Sequence, residues 1–138
     1  MPREDFFKKE LVAELRRVEN LIRKEPIVDK KVYYFSAAYG ITSRTFRYSF
    51  SKDVLFADFV LQGTYNLLLD RLGRLKSGDL MVPLEEAHFE MICDGLRRLA
   101  DKFEAGESIL EPLEDILLAV YTTTGAGLYM REKGDIKL

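Results

Sequence analysis

The sequence predicts an all-α protein of five to six helices, and three observations carry that expectation. Apolar residues recur at three- and four-residue spacing along most of the 138-residue chain, which places them on one face of successive helices. Pro26, Gly40, Gly78, Pro83, Gly106 and Pro112 fall where that spacing breaks, as helix punctuation should. No run of strict apolar and polar alternation is bounded by hairpin turns, so no strand is expected.

The first helix is expected over Glu4 to Glu25, where Phe7, Leu11, Leu15, Val18 and Ile22 share a face and charges fill the opposite one. Pro26 stops it, because proline disfavours a helical conformation in the preceding residue and lacks the amide proton the ladder needs. Between Val28 and Phe50 the residues Tyr33, Tyr34, Phe35, Tyr39, Phe46, Tyr48 and Phe50 crowd together around Gly40, which predicts two short helices joined by a turn. Ser51 is placed to cap the next helix, with Asp53 in its first turn. Leu55, Phe59, Leu68, Leu72 and Leu75 are its expected core-facing stripe, which runs to about Ser77-Gly78. Pro83 suits a first helical turn, and Leu84, Ala87, Met91, Cys93, Leu96, Leu99 and Phe103 continue to Ala105-Gly106. Pro112 opens the last helix, which carries Leu113, Ile116, Leu117, Val120 and Leu128 and is expected to end near Gly134.

The length suits one domain, 1-138, whose folding hides roughly two-thirds of the unfolded surface. Apolar residues make up 47% and charged residues 32%, a balance that excludes a disordered chain. The uncharged stretch from Ile116 to Met130 falls short of the roughly 20 apolar residues a bilayer crossing needs, so no membrane partner is expected. Met1-Pro2-Arg3-Glu4-Asp5 has no apolar leader pattern, and the expected location is the cytoplasm. The single cysteine, Cys93, forms no internal disulfide and reads as a small buried hydrophobe. Amides are scarce, with Asn20, Gln62 and Asn66 alone, and charges are abundant, the bias associated with a thermophile.

Charge is unevenly spread. Residues 1–29 carry seven basic and seven acidic groups, residues 30–52 carry Lys30, Lys31, Arg44, Arg47 and Lys52 with no acid, and residues 53–138 carry nine basic against sixteen acidic groups. A basic aromatic island beside an acidic remainder suits a small DNA reader with a separate pairing part. Within the island, Phe35 to Phe46 has the layout of a helix-turn-helix. Ser36 is the small residue at the crossing, Gly40 the turn, Phe35, Ile41 and Phe46 the apolar locks, and Thr42 the cap of the second helix. That second helix would present Ser43, Arg44, Thr45 and Arg47 outward, with arginine suited to guanine or phosphate.

This stretch, continuing as Tyr48-Ser49-Phe50-Ser51-Lys52-Asp53-Val54-Leu55, resembles the DNA-binding region of the tetracycline-repressor family over about 20 residues. The family pattern is glycine, an aliphatic residue and serine or threonine, then an aromatic pair and a lysine opening a long helix. Lys52 stands one residue closer to Phe50 than that pattern has it, and Arg47 replaces a usual tyrosine. The resemblance implies double-stranded DNA as partner, a role in transcription control, and a DNA-facing set of Thr42, Arg44, Thr45, Arg47, Tyr48 and Lys52, Lys52 as a phosphate contact. On this reading residues 1-52 form the helix-turn-helix unit and 53-138 a helical bundle that makes a homodimer.

Two other readings compete. The first is a non-catalytic helical-bundle oligomer without a DNA role. Gly125-Ala126-Gly127, with Ala119 and Thr123, forms a stripe of small residues fit for a packing or dimer contact; it lacks the strand and lysine of a phosphate loop. The second is a carboxylate metal bundle, since Glu85 and His88 have the Glu-x-x-His spacing of di-iron bundles, with Asp58, Glu90, Asp94, Glu111 and Glu114 as further acids. His88 is the only histidine, so neither a metal site nor any cofactor is expected. Catalysis is not expected either, because Cys93 lies off the face of His88.

Overall fold

The computed structural model describes residues 2–49, 51–77 and 84–121. Five α-helices cover most of them: α1 (Pro2–Lys24), α2 (Val28–Ser49), α3 (Lys52–Lys76), α4 (Glu86–Ala105) and α5 (Leu110–Tyr121). Among the described residues there is no strand. The all-α expectation is therefore met with five helices.

α1 packs against α2 and α4, α2 also against α3, α4 against α5, and α5 against α3. The contacts thus close a ring in the order α3, α2, α1, α4, α5. Each helix gives one apolar stripe to the interior: Leu11, Leu15, Val18 and Ile22 from α1, Val32, Phe35, Ala38 and Ile41 from α2, and Ala57, Leu61 and Leu68 from α3. Ile92, Leu96 and Leu99 come from α4, and Leu113, Ile116 and Val120 from α5. These positions repeat every three or four residues, the helical period that lines up one face.

Local chemistry sets the ends. α1 stops two residues before Pro26, and the buried ammonium of Lys31, 1% exposed, donates to the carbonyl oxygen of Ile22 at 2.6 Å, satisfying an orphan acceptor of the last turn. Ser51 caps α3 as expected: its Oγ accepts from the Val54 N–H at 3.4 Å. α4 starts after Glu85, whose backbone N–H donates to Nδ1 of His88 at 3.0 Å. It ends at Gly106, whose φ of 69° is the left-handed turn that glycine adopts without a Cβ clash. The Glu107 N–H then reaches back to Lys102 O at 2.9 Å.

Three expectations need correction. α2 runs unbroken through Gly40, so the two short helices around a turn are one helix. The hydroxyls that were expected to shape that turn bond back along the helix, Ser36 to the Tyr33 carbonyl at 2.6 Å and Thr42 to the Tyr39 carbonyl at 2.8 Å. A glycine inside a helix costs only about 1 kcal/mol relative to alanine, far less than the packing of α2 returns. In α3 the buried stripe is Val54, Ala57, Leu61, Thr64, Leu68 and Arg71, whereas Phe59 is 66% exposed. In α4, Met91 and Ala87 face solvent, with Phe89 and Ile92 taking the interior. Pro83, Gly78, Leu128, Gly134 and the stripe Gly125-Ala126-Gly127 lie outside the described residues.

Candidate interaction surface

The residues expected to face DNA lie on several sides of α2. Thr42 and Thr45 are buried, at 0% and 3% exposure. Ser43 Oγ donates to Asp58 Oδ1 at 2.7 Å, tying α2 to α3, and the same oxygen lies 2.9 Å from the Thr42 hydroxyl, within reach of its single proton as an alternative to the Tyr39 carbonyl. Tyr48 stacks on Phe7 of α1, with ring centroids 4.7 Å apart and planes 4° from parallel. Arg44 is solvent-exposed and 3.8 Å from Glu10 Oε2. Arg47 is exposed in the last turn of α2, where a cation meets the negative helix end favourably. Lys52 is exposed at the first position of α3.

The five basic residues of the sequence island do not share one patch. Lys31 is buried between α1 and α4, 3.6 Å from Glu86 Oε1 and 5.5 Å from the centre of the Phe89 ring. Lys30 lies fourteen residues before Arg44 on the same helix, about 20 Å away at 1.5 Å per residue. Only Arg44, Arg47 and Lys52 remain near one another, and Asp53 follows Lys52 directly.

The residues of the metal reading are also placed. Nδ1 of His88 is engaged with the Glu85 backbone. Among the described residues no three histidine, cysteine or acidic side chains come together to hold an ion. Arg23 binds Asp94 at 2.7 Å, Arg98 binds Asp115 at 2.6 Å, and Asp58 serves the α2 hydroxyls. Cys93 is buried, and loss of solvent pushes its thiol up to about 11. No described helix is long and apolar enough to cross a membrane.

Among the concave regions of the described residues, two bear on function. At one end of the ring a cleft of about 420 Å³ is lined by Lys8, Thr45, Ser49, Asp53, Lys102 and Glu107 among others. Its charges are of both signs. The second is an apolar groove of about 280 Å³ between α3 and α5, formed by Phe56, Val60, Leu110, Leu113, Leu117 and one acid, Glu114. Of its lining, Phe56 is 45% and Leu110 59% exposed, and the same two helices expose Phe59 at 66% and Leu118 at 46%. That volume lies just under the roughly 300–1,000 Å³ of typical small-molecule pockets.

Sequence reasoning missed this groove. A signal was present: α3 carries Phe56, Phe59 and Val60 one turn apart beside a separate stripe of Ala57, Leu61 and Leu68, so it has more apolar surface than one core-facing side can use. Compared with models of known families, with curated proteins and with solved structures, the chain has no match.

Proposed function

We propose that the protein is a non-catalytic, self-associating helical bundle whose working surface is the α3–α5 groove, occupied by the same groove of a second copy. The exposure of Phe56 and Leu110 in the groove, with Phe59 and Leu118 also exposed on the same two helices, carries this reading. From the usual size of such side chains, these four expose on the order of 400 Å². A standard interface buries about 800 Å² per partner, a little over half of it apolar, so the strip supplies about the apolar area one side of a stable dimer requires. A protruding Phe59 beside a groove is the knob and hole that a two-fold axis can pair with itself.

The test is the solution mass of the wild type and of Phe59→Glu. The wild type is expected at twice 16.0 kDa, and the variant at the monomer mass with its helix content retained, because Phe59 is exposed and contributes little to the fold. A wild-type monomer at tens of micromolar would remove the proposal. DNA binding by the helix-turn-helix reading is the contrasting outcome. Duplex DNA bound with a steep salt dependence, and lost on replacing Arg44 and Arg47 by alanine, would move the working surface to the junction of α2 and α3.

A further inference from the structure

Arg71 continues the buried stripe of α3 one turn beyond Leu68 and is 1% exposed. Its Nε and Nη2 are both buried without a hydrogen-bond partner. These two nitrogens form one edge of the guanidinium plane, where two N–H bonds point the same way. That edge matches the two oxygens of a carboxylate or phosphate.

The contrast with the other cations is sharp. Arg16 meets Asp101 and Glu104 at 3.0 Å, Arg98 meets Asp115, and the buried Lys31 has the Ile22 carbonyl, Glu86 and a ring face. Among the described residues no acid pairs with Arg71. An unpaired buried charge costs several kcal/mol, and arginine cannot escape by losing its proton at any ordinary pH. Burial does push its pKa below the usual value, which is the mark of the same desolvation. A leucine would serve the stripe better unless the charge has a use.

We infer that Arg71 is the receptor of an oxyanion site, taking two oxygens of one carboxylate or phosphate group side-on along its Nε/Nη2 edge. The site lies eleven residues, about 16 Å, along α3 from Val60 of the groove, and it does not depend on self-association.

The experiment follows the Arg71 Nε–H resonance by nuclear magnetic resonance, with thermal unfolding in parallel, on the full chain in chloride buffer. Sodium acetate and inorganic phosphate are the probes. The expected result is a saturable shift of that resonance with one of them. At ten times the probe's Kd the unfolding constant should fall about tenfold, and Arg71→Met should show no such response. Arg71→Lys, which keeps the charge and loses the paired edge, should also lose it, and serves if the methionine variant does not fold. A resonance already shifted from the other arginines in chloride and insensitive to both probes would show that Arg71 is paired within the chain, and overturns the inference. A resonance unshifted under every condition, or a stabilisation that survives both substitutions, overturns the inference.

Discussion

Two glycines that look alike in the sequence have opposite roles. Gly40 lies exposed on α2, and a Cβ built there meets nothing within 4 Å. At Gly95 the same atom would overlap Ile116 Cγ1 and stand 3.3 Å from the Pro112 carbonyl oxygen, because α5 packs directly against α4 there. Gly40→Ala is therefore expected to stabilise by about 0.5–1 kcal/mol, and Gly95→Ala to destabilise by about 1–3 kcal/mol as Ile116 is displaced. Urea unfolding of the two variants separates the cases. A loss of stability at Gly40 would mean that a turn with positive φ had been filled, the geometry of the helix-turn-helix. Sequence alone did not distinguish them, since a glycine inside a helix and a glycine at a turn are the same letter. Cys93 was legible, because a lone cysteine amid Ile92 and Leu96 has few other uses. Its thiol, raised to about 11 by burial, should resist disulfide reagents at pH 8 in the native state and react at once in denaturant. Because the folded pKa exceeds the ordinary 9.0, its contribution to stability is whole below pH 9 and is lost as pH rises toward 11.

At the scale of the helices, periodicity located the elements better than it located their faces. α1 has one apolar stripe among charges, and Leu11, Leu15, Val18 and Ile22 were legible in it, whereas the buried Val12 was not named and Phe7 is only half-buried. α3 is apolar on more than one side, so the spacing of Leu55 and Phe59 looked as good as that of Ala57 and Leu61; the expected stripe is right at Leu68 and Leu72 and wrong at Phe59. Two of the residues expected to face outward show a related limit: position along α2 cannot say that Thr42 and Thr45 are buried until the neighbouring helices are in place. Ion pairs then stitch the seams, Arg16 to Asp101 and Glu104 between α1 and α4, and Lys76 to Asp29 between α3 and α2. The hydrogen bond from Arg16 holds the Glu104 carboxyl below its ordinary 4.5, and that from Arg17 does the same for Glu14. A depressed carboxyl stabilises the fold above its unfolded pKa, and that help is lost as pH falls through the folded value. The urea midpoint is thus expected to hold level from pH 7 to about 5 and to drop below pH 4.5, with the drop smaller in high salt. A midpoint that rises on acidification would contradict this assignment.

For the whole molecule, five helices in a closed ring leave α3 and α5 joined over a groove that the ring does not fill. The buried interior is built from one stripe of each helix, and Phe56, Phe59, Leu110 and Leu118 stay exposed outside it among the described residues. Exposed apolar strips of this kind mark contact surfaces more often than they occur by chance. The most direct test of that assignment is a dilution series of amide nuclear magnetic resonance spectra, from hundreds of micromolar to a few micromolar. The account predicts that the resonances moving on dilution cluster at Phe56, Phe59, Val60, Leu110 and Leu117, with those of Arg44, Arg47 and the α1–α4 seam still. Spectra that do not change over that range while the solution mass stays at 16.0 kDa, or that change around Arg44 and Arg47 instead, would contradict it.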